Sequence, residues 1–146
     1  LAIEYLKNIS KKIYNKKGCL LIIDYGYLDN LIKDTMMGER KHQYTNILNR
    51  VGNSDITYQL NFKILKKICK NLKLKCQAIT SQRKFLTRLG IHERAEIISK
   101  NLPFSKKADI YYRLKRLIDK NQMGELFKVM LITNKNINFK IGFEID

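Results

Sequence analysis

The run "CLLIIDYGY" at residues 19–27 constrains the fold of this chain more than any other stretch. Five apolar residues follow Gly18 and lead without a break into an acid, an aromatic and a glycine. An uninterrupted apolar run of that length predicts a strand buried on both faces, as in the middle of a parallel α/β sheet. Ligands of open α/β sheets sit beyond the carboxyl ends of the strands. Asp24, Tyr25 and Gly26 stand at that end. Asp24 reads either as a turn cap or as one side of an acceptor cleft. Tyr25 reads as a wedge between layers or a wall against a flat cation. Gly26 reads as a source of unusual backbone geometry.

The rest of the chain supplies layers for such a sheet. Ile3, Leu6, Ile9 and Ile13 recur at helical spacing, and Gly18 can close that helix. After the strand comes a long polar insertion, about 27–60, with short strands expected near 35–42 and 55–60. A connection that long in a compact domain is functional or inserted. Asn61 is placed to cap a helix with the stripe Phe62, Leu65, Ile68, Cys69 and Leu72. "LKCQAIT" (74–80) reads as a strand. A helical insertion follows, about 81–120: a short helix capped by Thr80 or Ser81 and stopped by Gly90, then helices at 92–100 and 105–119. Pro103 splits those two, with Ser105 expected as the second cap. "LFKVMLIT" (126–133) reads as another buried strand. The tail, about 134–146, alternates from Ile137 to Ile145 and is expected to be extended. At 146 residues the whole forms one α/β domain.

Composition excludes little by itself. The formal charge of +16 would suit a polyanion partner. Yet Ile, Lys and Asn make up 55 of the 146 residues, and Lys is spread over nearly every segment, the pattern of AT-rich codon drift. The aromatics Phe62, Phe85 and Phe127 fall at core positions, whereas a single-strand binder needs them exposed beside its cations. A nucleic-acid module is therefore the alternative reading. The apolar runs are too short to span a membrane, and the amphipathic first residues resemble no signal peptide. Cys19, Cys69 and Cys76 sit singly in apolar segments and read as buried free thiols of a bacterial cytoplasm. Their spacing matches no zinc motif, so no metal is expected. The chain starts at Leu1, which suggests a piece of something longer.

Seven short stretches occur together: "LLIIDYG" (20–26), "DT" (34–35) with His42, "GNSDIT" (52–57), "LNF" (60–62), "TSQRKFLTRLGI" (80–91), "MGELFKV" (123–129) and "GFE" (142–144). In this order they resemble the MidA-type family of S-adenosylmethionine-dependent methyltransferases, which includes a mitochondrial assembly factor for the respiratory NADH dehydrogenase. The likeness runs over nearly the whole chain. It departs at Met36, Met37, Gly38 and Glu39, where the family usually has Leu, Arg, Ala and Tyr. It departs again at Ile47 and Val51, which replace prolines, and at Asn61, which stands for an Asp.

The resemblance implies the C-terminal half of a Rossmann-like methyltransferase sheet, with an antiparallel last strand between the two preceding ones. "DYG", "TSQ" and "MGE" would then converge on one edge. It implies a protein arginine acceptor, a respiratory NADH dehydrogenase subunit in one lineage. The substrate-binding candidates are Asp24, Tyr25, Gly26, Asp34, Thr35, His42, Asp55, Gln82, Gly124 and Glu125, with Asp24, Asp55 and Glu125 as grips on a guanidinium; no catalytic residue is assigned. Asp55 can instead hold its loop. S-adenosylmethionine is expected as the cofactor of the parent protein. The glycines never fall as GxG, so no donor contact is expected in this chain, which alone would be inactive or a decayed remnant. Strand 19–25, without the neighbours of a complete sheet, would favour self-association or a missing N-terminal half.

Overall fold

The computed structural model describes residues 2–41, 43–49, 51–139 and 141–143. Helix α1 (Ala2–Lys16) leads into strand β1 (Cys19–Tyr27). Leu6 and Ile13 turn inward and Ile9 is half-buried, whereas Ile3 is exposed. The insertion folds into its own antiparallel sheet of β2 (Met37–Arg40), β3 (Gln43–Thr45) and β4 (Asp55–Thr57), in the order β3-β2-β4. It returns through the two-residue β5 (Leu60–Asn61) to helix α2 (Phe62–Asn71). Strand β6 (Lys75–Ser81) is followed by α3 (Gln82–Arg88), α4 (Ile91–Ser99) and α5 (Phe104–Ile118). A single turn, α6 (Met123–Leu126), then opens into β7 (Phe127–Thr133).

The main sheet has the order β5-β1-β7-β6. Strand β7 is antiparallel to both neighbours, so β1 and β6 run parallel to each other with the last strand between them, as expected. One face carries Phe62, Cys69, Met130, Ile132 and Ile13, with Leu20 and Ile22 half-buried against them. The other carries Val129 and Leu131 under Phe85 and Phe143.

Asn61 does more than cap. Its Oδ1 accepts from the Lys63 and Ile64 amides at 3.0 and 3.2 Å. Its Nδ2 donates to the Asp29 and Leu31 carbonyls at 3.2 and 3.3 Å. An ionised Asp has no donor for those carbonyls, so the two residues are not interchangeable here.

Several expectations are corrected. Strand β1 is covered on one face only: Leu21, Ile23 and Tyr25 are 42–44% exposed, because the layer over β6 and β7 does not reach them. Cys19 starts the strand in an exposed position and is not buried. Helix α5 begins after Pro103, with Ser105 inside its first turn and no side-chain cap; Pro supplies the extended entry. Residues 137–139 and 141–143 form no strand, with a turn at 141–142, and residues 140 and 144–146 lie outside the described residues. Gly142, at φ +78°, lies against the Phe85 ring and brings Phe143 to 5.1 Å from that ring, a packing that a straight strand would miss. Gly26 has no unusual backbone angle. It is glycine because a Cβ would come within 2.6 Å of the Leu60 carbonyl and closer still to the Phe62 ring.

The free side of β1 has a consequence in solution. Strand β5 pairs only with Gly26 and Tyr27, so residues 19–25 present a backbone edge with no strand partner among the described residues. Open apolar edges recruit other chains. Sedimentation of the isolated chain from low to high micromolar concentration should show rising mass; a monodisperse monomer throughout would contradict this.

Candidate functional site

The carboxyl end of β1 carries the first candidates. Asp24 pairs in register with Lys128 of β7, and Lys128 pairs in turn with Ser81 of β6. Asp24 and Ser81 thus sit on one row, about 10 Å apart across two strand spacings. The next row joins Tyr25 to Phe127, with ring centroids 4.2 Å apart at 43°.

Chain direction explains why these scattered stretches meet. Strands β1 and β6 end at this edge, and β7, running the other way, begins there. Ser81 caps α3 by accepting from the Lys84 amide, and its Oγ donates to Glu125 Oε1 at 3.2 Å. Glu125 is therefore oriented by a buried hydroxyl while remaining exposed itself. Lys128 Nζ donates to the Glu125 carbonyl. Asp24 is exposed, with Oδ1 accepting from the Tyr25 amide at 2.8 Å. The edge thus presents two exposed carboxylates, Asp24 and Glu125, together with the exposed Tyr25 ring.

The other candidates divide. Gln82 is buried, and its Nε2 donates to the Leu117 carbonyl at 2.9 Å, which ties the start of α3 to the end of α5. Gly124 is buried beneath that same end, its amide donating to the Asp119 carbonyl at 3.0 Å. Both brace the edge from inside. Asp34 and Thr35 organise the insertion: Asp34 Oδ1 accepts from the Met36 amide at 3.3 Å, and Thr35 Oγ1 accepts from the Gln59 amide at 3.0 Å. Asp55 is exposed in β4 opposite Glu39, in the separate small sheet. His42 lies outside the described residues.

Sequence reasoning missed Lys128 and the Tyr25–Phe127 pair. Lys128 is one of 22 lysines, and only register singles it out. Two of the thiols, Cys69 and Cys76, are held in the protonated form. Burial, with Cys76 nearby, pushes the Cys69 thiol up to about 11, and burial also raises Cys76. Thiols, unlike thiolates, are poor nucleophiles. Among the described residues no three His, Cys, Asp or Glu side chains group as a metal site, and no helix is long and apolar enough to cross a membrane.

Comparison with known proteins bears on the family and the fold. A family model described as "Putative S-adenosyl-L-methionine-dependent methyltransferase" matches residues 2–80. "Protein arginine methyltransferase NDUFAF7, mitochondrial" from Danio rerio is 29% identical over 88% of this chain. The Mus musculus protein of that name is 29% identical over 84% of it. The chain spans only 30% and 28% of those relatives' lengths. A native crystal structure of a COG1565 superfamily protein from Burkholderia thailandensis superposes with a TM-score of 0.85 at 21% identity, covering 97% of this chain and 39% of that one. A second Burkholderia thailandensis structure of that superfamily, bound to S-adenosyl-homocysteine, superposes with a TM-score of 0.81 at 21% identity, over 97% of this chain and 38% of that one. The α/β sheet with its antiparallel last strand is therefore the fold that the motifs implied. Since the family model covers more than half of its length, the chain belongs to this family of S-adenosyl-L-methionine-dependent methyltransferases.

Proposed function

We propose that this chain forms the acceptor side of a protein arginine methyltransferase, with Asp24 and Glu125 gripping the guanidinium and Tyr25 packing against its plane. The observation that carries the reading is the placement of two exposed carboxylates and an exposed ring along one carboxyl edge of the sheet. Carboxylates accept paired hydrogen bonds from a guanidinium, and an aromatic face attracts it. Orientation is the main demand on the protein here, since the acceptor nitrogen must be aimed at the methyl group. The relatives named above as arginine methyltransferases support this acceptor class. A respiratory NADH dehydrogenase subunit is the first acceptor to try.

The described residues do not fit the methyl donor. A dinucleotide-type donor site needs a Gly-rich turn between a strand and a helix N-terminus. Helices α2 and α3, which follow β5 and β6, start instead on the side-chain caps Asn61 and Ser81. None of the seven glycines falls as GxG. The donor cradle is therefore assigned to polypeptide other than these residues, and the isolated chain to an inactive state. Calorimetry should find no micromolar binding of S-adenosylmethionine to it. Micromolar binding would overturn the division of labour. The acceptor assignment is tested in the protein carrying both parts, where Asp24→Asn with Glu125→Gln should remove arginine methylation while donor binding persists.

A further inference from the structure

A cavity of about 590 Å³ lies among α3, α4 and α5 and has no part in the reading above. Three cations line it: Arg83 from the first turn of α3, Lys115 from α5, and Lys120 just past the end of α5. Among the described residues none of the three forms an ion pair, although Lys33 and Arg113 elsewhere each hold an acid. Thr87 and Tyr111 add hydroxyl donors, and Leu114 with Ile118 forms an apolar floor. The acid in the lining, Asp119, has Oδ1 turned to the Asn121 amide at 2.8 Å. The cavity is thus rich in donors, and its three cations outnumber its one acid.

Its position relates it to the edge. Arg83 follows Ser81 by two residues, so their Cα atoms lie at most about 7 Å apart, and Ser81 holds Glu125. The wall formed by the end of α5 is fixed to that edge through Gln82 and Gly124. An acid a few residues from an arginine held at Glu125 is therefore within reach of the cavity.

We propose that this cavity receives an aspartate or glutamate side chain of the acceptor polypeptide, a few residues from the arginine, and so selects acid-flanked arginines. The inference rests on the arginine reading. Electrostatics favours it independently of the cavity's shape. A chain of formal charge +16 repels an approaching guanidinium, and only acids carried alongside the arginine reverse the sign of that encounter. The carboxylate finds charge-assisted partners in Arg83 and Lys115, and its methylenes lie on Leu114 and Ile118. A nucleic acid is disfavoured. The site is a single pocket containing an acid, whereas single strands track a cationic groove with stacked aromatics.

The test uses four fluorescent peptides on this chain: arginine or lysine at the centre, each flanked by Glu or by Ser, with anisotropy read at 50 and 200 mM salt. The Glu-flanked arginine peptide should bind at least tenfold tighter than its Ser-flanked partner at low salt, with the gap narrowing at high salt. Arg83→Gln with Lys115→Gln should reduce that preference to less than threefold without lowering the melting temperature. Lys120→Gln, at an exposed position past the helix, serves as a second probe should the double variant unfold. Equal binding of Glu- and Ser-flanked peptides, or an undiminished preference in folded variants, would overturn the proposal. So would an oligonucleotide of equal charge that displaces the peptide and binds more tightly. If the Glu-flanked lysine peptide binds as well as the arginine one, the cavity assignment stands and the arginine reading falls.

Discussion

Phe62→Ala is expected to destabilise the fold by about 3–5 kcal/mol, the range for removing a fully buried aromatic. Phe62 is completely buried at the start of α2, in one cluster with Ile13, Cys69, Leu74, Met130 and Ile132. Its ring also lies against Gly26, where β1 reaches its carboxyl end. Truncation would empty the space between helix and sheet and remove the surface on which Gly26 rests. Domains of this size are stable by about 5–15 kcal/mol, so much of the total is at stake. Urea unfolding followed by circular dichroism gives the value, and Phe62→Leu should retain more than half of the loss. A change below about 1 kcal/mol for the Ala variant would show that the ring is not central to the core.

Gly124→Ala is the second large effect. A Cβ there would come within 2.6 Å of the Asp119 carbonyl oxygen and closer still to that of Ile118, both backbone atoms that cannot rotate away. Relief requires the end of α5 to shift, and overpacking of this kind costs about 1–3 kcal/mol. The shift would also disturb the Gly124–Asp119 hydrogen bond and the neighbouring Glu125. Gly52→Ala separates the causes. That glycine has φ +84° and nothing within 4 Å of an added Cβ, so only backbone strain of about 1–2 kcal/mol applies. Thermal melts of both variants should place Gly124→Ala at the lower temperature and move the Glu125 resonances in that variant alone. Equal melts would mean that the end of α5 adapts freely.

Legibility differed along the chain for physical reasons. Helix α2 could be read because cap and stripe agree: Asn61 accepts from two amides, and Phe62 and Cys69 are buried at helical spacing. What the sequence did not reveal was the second use of Asn61, since its donation to the Asp29 and Leu31 carbonyls joins residues some thirty positions apart. Strand β1 was readable as a strand, but its burial depends on which layers are present, and hydrophobicity cannot count them. The tail failed because alternation is necessary for a strand without being sufficient. Gln77 Nε2 donates to the Ile137 carbonyl at 2.6 Å, so the tail is tied to β6 by a side chain, and Gly142 turns it. The convergence of Asp24 and Glu125 followed from the family resemblance; Lys128 and Phe127 became visible only through register.

The central place of β7 governs how such a chain leaves the ribosome. Strands β1 and β6 are hydrogen-bonded to β7 and not to each other, so until residue 127 is made these two strands of the main sheet lack the one that joins them. At about 5–20 residues per second, the hundred residues from the end of β1 to the start of β7 take roughly 5–20 s to synthesise. Throughout that interval Leu20 to Ile23 lack β7, the strand they pair with among the described residues. A nascent-chain chaperone that covers this apolar segment therefore holds it until β7 emerges.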